Sequence, residues 1–511
     1  MIKQIDLKFG KNIQSTPLSF EPASINIIVG PNNSGKSLLL RELDHYFSGD
    51  TSHFEYKILK YINFPILSEL EAEELISTIS LEKIIGEAPG DDYFSFIHNN
   101  QRTQIYKSSA INQLTSSDNI HEKVKYFMSN KKLYLNGETR LTRLSPVGYD
   151  LVSNNNPSPI SKLIIDDNKF CTLETQVFSA FQKYPVIKLN NGGLASIVLS
   201  NTKIPNELKL SIKQESLEFY ADCLDENNLS DGIKAYIGIM LEVSAGNPEI
   251  LIIDEPEAFL HPPLAKTLGN VLSHSAQIEN KKLFIATHSA QFIMGCIESG
   301  VQINILRFTY QNEIPTVRLL DKESLTELMQ DPLMRSSNVI ESLFFKSVVV
   351  TESDSDRAFY QEINNRLSQF KPEWHINDTL FLNAQNKQTV GRIVKPLRDL
   401  GIPAVSIIDL DFVKDGGNVF SKYLSSCNIP NSSISGHSQT KTTIKSFFPD
   451  NLDKNEPLKS KGLEYLSNGE LETARNLLDQ LNLYGLFPVP IGELESWLKD
   501  VPAYGHGNGK V

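Results

Sequence analysis

Short apolar runs that end in polar or acidic turns punctuate this chain, and helical spacing follows several of them. Residues 24–47, SINIIVGPNNSGKSLLLRELDHYF, start with an apolar strand over 24–29, and Leu38, Leu39, Leu40 and Leu43 then open a helix. The run at 250–253 predicts a buried strand ending in Asp254-Glu255, and KLFIATHSAQFI, 282–293, predicts another ending at His288. Further on, the alternation of run and helix repeats: strand 347–351, helix 355–367, strand 379–384, helix 387–400, strand 402–413. This βαβαβ order predicts a parallel sheet with right-handed crossovers.

Between 50 and 230 the pattern is less regular. Residues 66–85 predict a helix with Leu67, Leu70, Leu75 and Ile79 on one side, and 172–183 predict another. The stretch 150–162, DLVSNNNPSPISK, reads as an exposed connector rich in Asn, Ser and Pro. No internal repeat is evident, and no heptad run is long enough for an extended coiled coil. The expected organisation is an α/β domain over 1–325, with a helical insertion at about 50–185, and a second α/β domain over 340–511.

Composition adds bounds. The 511 residues exceed what one core usually supports, so two or three domains are expected. The four Cys form no CxxC pair or zinc-finger spacing and read as reduced thiols of a cytoplasmic protein. No apolar run reaches the ~18 residues of a membrane span, and the N-terminal MIKQIDLKFG reads as a strand rather than a signal peptide. A net charge of −12 argues against a wholesale nucleic-acid coat. It does not exclude a local basic channel, because salt screens distant carboxylates.

The chemistry concentrates in two places. The first is Gly30–Ser37, which matches G-x-x-x-x-G-K-[ST] between a strand and a helix, the context that motif requires. Gly30, Asn33 and Gly35 shape a loop whose N–H groups cradle phosphate oxygens. Lys36 reaches the β/γ-phosphates, Ser37 offers a hydroxyl to Mg²⁺, and the helix N-terminus favours the anion. Asp254, at a parallel strand's carboxyl end, can order the Mg²⁺ shell, and Glu255 can polarise the water that attacks the γ-phosphate. His288 is placed to sense that phosphate or, more blandly, to hold a backbone partner. Leu229-Ser230-Asp231-Gly232 starts a helix. Ser230 there is a good N-cap, and with Gly232 it opens N–H groups that can meet a second subunit's phosphate.

The second place is acidic. Glu352 falls at a strand end, Asp356 in the first turn of the next helix, and Asp409 and Asp411 at the end of a strand two further on. On a continuing strand residues i and i+2 share a face, so the last two are expected to face one site. Clustered carboxylates without His or Cys suit Mg²⁺, Mn²⁺ or Ca²⁺, and two such ions clamp a phosphodiester. Taken separately, the acidic stretches read equally as a solvated strand end and a polar N-cap.

The nucleotide residues resemble ATP-binding-cassette ATPases of the SMC/Rad50 and OLD (overcoming lysogenization defect) type. The order agrees: phosphate loop, LSDG signature, DEPE Walker B, switch histidine. Asp231 departs from the commonest signature. LYLNGETRL, 133–141, is similar to a stretch of OLD-type ATPases and has no evident role. The acidic residues resemble the TOPRIM domain of topoisomerases, primases and OLD nucleases, a strand-end Glu followed two strands on by D-x-D. Asp356 fits the ExxxD of OLD-type members. The resemblance further implies that Glu493 and Glu495 help bind a second metal and that a following basic residue, Lys510 or Lys499, assists the transition state.

An ATPase followed by TOPRIM is the OLD architecture. The resemblance implies an ATP-regulated DNA endonuclease using two Mg²⁺ or Mn²⁺ ions, assembled as a homodimer or larger homo-oligomer through its heads. It also implies a role as a bacterial anti-phage effector of Gabija-like or retron-associated kind, with a helicase or retron RNA/DNA as partner. The alternative is an ATP-driven scaffold that controls a toxic partner, its own TOPRIM silent. Lys441, Lys445, Lys459 and Lys461 either line a DNA channel or are solvated surface lysines.

Overall fold

Ile25–Val29 forms a strand, β1, with every residue buried. A strand covered on both faces needs a continuous apolar run, and this one is broken only by Asn26. The Asn26 amide is satisfied within the sheet: it donates to Ala23 O at 2.9 Å and Leu283 O at 3.1 Å and accepts from Ala23 N at 3.0 Å. The computed structural model describes residues 2–49, 54–81, 87, 90–98, 101–116, 124–149, 158–190, 192–320, 339–449 and 457–498. The chain divides into two compact units, with the boundary after residue 322.

In the first unit β1 leads through the phosphate loop into α1 (Lys36–Ser48). The main sheet adds β2 (Lys132–Leu135), β3 (Ile250–Asp254), β4 (Lys282–Ala286), β5 (Ile303–Gln311) and β6 (Ile314–Leu320), in the order β6–β5–β1–β4–β3–β2. All neighbours are parallel except β5 and β6. A helix, α2 (Asp231–Ser244), precedes β3. Against α1 lies a small antiparallel sheet of Ser19–Phe20, Gln4–Leu7 and Leu59–Asn63, whose Ile5 and Leu7 share a core with Leu39, Leu40, Leu43 and Phe47.

Residues 50–185 are not one insertion. β2 belongs to the main sheet as the edge strand beside β3, and a helix and hairpin precede it. The predicted 66–85 helix spans Glu69–Ile79, closed by a Ser68–Glu71 capping box. Its buried residues are Ala72 and Ile76, and Leu70 is 78% exposed. Leu70 falls roughly 160° around the helix from Ala72, too far to share a face. The predicted 172–183 helix spans Asp167–Phe181. Part of the expected connector is helical: Pro159–Ile165 follows Ser158, whose side chain caps it, while 150–157 lie outside the described residues.

The second unit has a four-stranded parallel sheet: β7 (Ser347–Thr351), β8 (Thr379–Asn383), β9 (Ala404–Ile408) and β10 (Leu486–Pro488), in the order β8–β7–β9–β10. Helices α3 (Asp354–Phe370) and α4 (Lys387–Asp399) make the two crossovers. Val390, Ile393, Val394 and Leu397 of α4 recur at helical spacing and are all fully buried. Burying such side chains contributes about 1.5–3 kcal/mol each. The parallel order brings the ends of β7 and β9 side by side.

Candidate functional sites

The phosphate loop carries the backbone geometry its sequence predicts. Gly30, Asn33 and Gly35 have φ of 144°, 60° and 100°. Left-handed residues of this kind let successive N–H groups turn toward one anion. Gly35 directly precedes α1, and a Cβ there would meet Ile58 Cδ1 at 3.0 Å, so only glycine suits both the φ and the space.

Ser37 and Asp254 meet at this loop: the Ser37 hydroxyl donates to Asp254 Oδ1 at 3.3 Å. Lys36 is buried, and burial brings its pKa down to about 8 against the attraction of Glu255 and Asp254. Burial likewise raises Asp254, with the Ser37 hydrogen bond opposing. Glu255, just beyond β3, is half-exposed with φ of 51°. Its carboxylate stands 3.9 Å from His288 Nε2. His288 is held at its backbone: Glu257 Oε1 accepts from His288 N at 2.9 Å and from the Thr287 hydroxyl at 2.8 Å. Glu257 was not legible as a site residue because its role is to fix a loop 30 residues away. Ser230 opens α2 by position only. Its side chain is exposed and makes no capping hydrogen bond, contrary to expectation. Gly232 packs closely, since a Cβ there would lie 2.6 Å from Phe259 O.

At the second site Glu352 is the first residue beyond β7 and Asp409 the first beyond β9. Asp409 N donates to Glu352 Oε1 at 2.9 Å. Burial, then repulsion from Asp411 and Asp356, raises Glu352 to about 7, against the Asp409 hydrogen bond and Lys387. Burial, then Glu352, Asp356, Glu493 and Asp411, raises Asp409 to about 8. Asp356 sits in the first turn of α3, in a capping box with Ser353: its Oδ2 accepts from Ser353 N at 3.1 Å and Oγ at 2.9 Å.

Asp411 does not share a strand face with Asp409. β9 ends at Ile408, and Leu410–Lys414 form a 3-10 turn, so period-2 alternation no longer applies. Asp411 instead accepts from Lys387 Nζ at 3.0 Å and lies 3.6 Å from Lys459 Nζ. Lys387 also pairs with Asp415 at 3.1 Å, and Lys459 pairs closely with Glu493. Glu493 caps a short 3-10 turn in which Glu495 is exposed. Lys510 and Lys499 lie outside the described residues.

Among the described residues no three His, Cys, Asp or Glu side chains are arranged to hold one metal ion. Glu352, Asp356, Asp409 and Asp411 still lie near enough to act on one another electrostatically, without forming a closed cage, and Lys387 and Lys459 pair with Asp411. The donors nevertheless fit a hard divalent cation. They are all oxygen, and the half-buried Glu352 and Asp409 both carry pKa values raised by burial and then by neighbouring carboxylates, which a bound cation would offset. Lys387 was missed by sequence reading; its position as the first residue of α4 was the available signal. Lys441 is no channel lysine: it is buried and donates to Asp415 O, with its ammonium 5.1 Å from the Phe420 ring. Lys445 and Lys461 are exposed.

Together these two sites define an ATPase head followed by a parallel-sheet acidic domain. Residues 343–411 match the family model described as overcoming lysogenization defect protein-like, TOPRIM domain. Residues 197–294 match the one described as AAA domain, putative AbiEii toxin, Type IV TA system. The chain thus carries an ATPase domain and an OLD-like TOPRIM domain, a pairing that implies nucleotide and divalent-metal use in general. No curated protein matches the chain at a significant level. Solved structures similar to it include an SMC head bound to the C-terminal winged-helix domain of ScpA, at 13% identity and TM-score 0.36, covering 64% of this chain and 99% of that one. The SMC head domain of Thermotoga maritima is similar at 11% identity and TM-score 0.32, covering 63% and 99%. CbiO1 of Clostridium perfringens, part of the ABC transporter complex cbiONQ, is similar at 12% identity and TM-score 0.30, covering 65% and 94%. Among the described residues no helix is long and apolar enough to cross a membrane.

Proposed function

We propose that this protein is an ATP-regulated, divalent-metal-dependent DNA endonuclease. The observation that carries the reading is the half-buried Glu352–Asp409 pair at the carboxyl edge of the second unit's parallel sheet, in a chain that also holds a phosphate loop. Glu352, Asp409 and Asp356 would hold the ion, with Asp411 joining once Lys387 and Lys459 yield it. A divalent ion bound there supplies electrostatic stabilisation of the charge that develops on a phosphodiester. The chain's own contribution is orientation: the Asp409 N–H fixes the Glu352 carboxylate, and the Ser353 cap fixes Asp356.

In the first unit Lys36, Ser37 and Asp254 would bind MgATP and Glu255 would orient the attacking water. ATP then acts as a switch through a head-to-head dimer in which Ser230 and Gly232 of one head face the loop of another. The domain pairing supports a role as an anti-phage effector. Incubating the full chain with supercoiled plasmid and Mg²⁺ or Mn²⁺, with and without ATP, tests the activity. Nicked or linear product that disappears in Glu352→Ala is expected, and product made equally by that variant would reject the assignment. Plating phage on cells that express wild type or Glu352→Ala tests the biological role.

The scaffold reading has one observation in its favour: Lys387 and Lys459 already neutralise Asp411, Asp415 and Glu493. Asp409→Ala separates the two. A scaffold keeps its protective effect in cells, and a nuclease loses it while retaining ATP binding.

A further inference from the structure

Arg140 belongs to LYLNGETRL, the stretch that neither site has so far used. It is only 1% exposed and heads the fully buried side chains by volume. A buried guanidinium is costly unless its donors find acceptors. Two main-chain carbonyls accept from one of its nitrogens, Nη1 donating to Asp254 O at 3.1 Å and to Glu255 O at 2.6 Å, while the buried Nε has no hydrogen-bond partner. Those carbonyls belong to the end of β3 and the residue after it. Glu255 has a φ of 51°, a region unfavourable for a non-glycine residue that persists only when its surroundings hold it there.

The same segment grips α2. A Cβ on Gly238 would lie 2.2 Å from Arg140 O, so the helix backbone rests directly on residue 140. One helical turn on, Glu242 pairs with Arg143 at 3.3 Å. The Arg140 guanidinium also stands 5.8 Å from the Phe259 ring centre, and Phe259 O is what Gly232 packs on. Arg140 therefore lies between α2 and the turn that presents Glu255.

We propose that Arg140 is a positioning residue for ATP hydrolysis: its two carbonyl hydrogen bonds hold Glu255 in the left-handed conformation that presents its carboxylate, while its backbone braces α2. The inference rests on the reading of Glu255 as the residue that orients the attacking water. The hydrogen bonds of Arg140 go to the main chain of Asp254 and Glu255, so its loss is expected in turnover rather than in binding. Lysine at this position keeps a single donating nitrogen but loses the rigid guanidinium plane that fixes where that nitrogen lies.

The test uses the full chain as wild type, Arg140→Met and Arg140→Lys. It measures affinity for a fluorescent ATP analogue with Mg²⁺, kcat and KM from phosphate release, and melting temperature. Arg140→Met is expected to bind within about threefold of wild type while kcat falls about 100-fold, the scale of a small misplacement at a reacting centre. Arg140→Lys is expected to recover part of kcat. A merely structural role lowers affinity and kcat together, and that result overturns the inference, as does a wild-type kcat in Arg140→Met. If Arg140→Met does not fold, Arg140→Lys decides alone: kcat lowered at unchanged affinity supports the role, and any other pattern rejects it. A wild type that neither binds nor hydrolyses ATP overturns the nucleotide reading itself, and the inference with it.

Discussion

The backbone N–H of Asp409 donates to Oε1 of Glu352 at 2.9 Å, so the first residue beyond one strand is tied to the first residue beyond its neighbour. The bond orients Glu352, yet it also brings a second half-buried carboxylate close to it. The result is a pair that resists ionisation, with Glu352 raised to about 7 and Asp409 to about 8.

That pair makes stability depend on pH. Carboxyls of the unfolded chain release their protons near pH 4. Below that, both states are protonated and nothing is lost. Above it the folded state keeps protons that the unfolded state has released, so stability falls as pH rises toward about 8, where the penalty is complete. In chelator, the melting temperature of the wild type is expected to fall between pH 5 and pH 8.5, and Asp409→Asn to flatten that fall by several degrees. Calorimetry across the range checks it, and identical slopes for the two proteins count against a pair that resists ionisation.

Lys387 holds Asp411 Oδ1 at 3.0 Å and Asp415 Oδ1 at 3.1 Å, and the buried Asp415 Oδ2 has no hydrogen-bond partner. Removing one partner of a part-buried ion pair leaves the other uncompensated. Lys387→Met is expected to destabilise the metal-free protein by roughly 2 kcal/mol, and millimolar Mg²⁺ to recover part of the loss. Denaturant titrations with and without Mg²⁺ measure both; a loss that Mg²⁺ leaves untouched would show that the cation does not reach these carboxylates.

Lys36 and Ser37 predict ligand-dependent stability. At a hundredfold excess over its dissociation constant, MgATP stabilises a binding protein by about 2.7 kcal/mol. Wild type is expected to show a corresponding thermal shift, Lys36→Ala almost none, and Ser37→Ala a shift that no longer depends on Mg²⁺. Equal shifts in all three would place the nucleotide elsewhere.

Glu42, on α1, is fully buried and accepts from Lys57 N, Ile58 N and Leu59 N, with shortest distances of 2.6, 3.0 and 2.6 Å. It ties the phosphate-loop helix to the Leu59–Asn63 strand. Glu42→Ala strands the buried donors Ile58 N and Leu59 N as well as the less buried Lys57 N, and is expected to cost about 3 kcal/mol. Glu42→Gln keeps an acceptor and is expected to cost less. Urea unfolding of the two variants gives the order directly.

Much of both sites could be read from local pattern. The phosphate loop sits between strand and helix as its residues require, and Asp254 meets Ser37. Glu352 and Asp409 come together because the alternation of run and helix dictates a parallel sheet with neighbouring strand ends. Errors arose where a local period was carried past the element that owned it. Asp411 was assigned to a strand that ends at Ile408, and Leu70 was placed on a helix face it does not reach.

The sequence by itself determined the two chemistries, because loop conformation, strand burial and helix start are set by residues adjacent in the chain. Only the tertiary structure decided which charges meet. Lys387 and Lys459 on Asp411, Lys441 turned inward to Asp415, and Arg140 on the carbonyls of Asp254 and Glu255 all join residues 15 or more apart. No short-range periodicity encodes such pairs: they follow from which strands become neighbours and from the cost of leaving a buried charge without a partner.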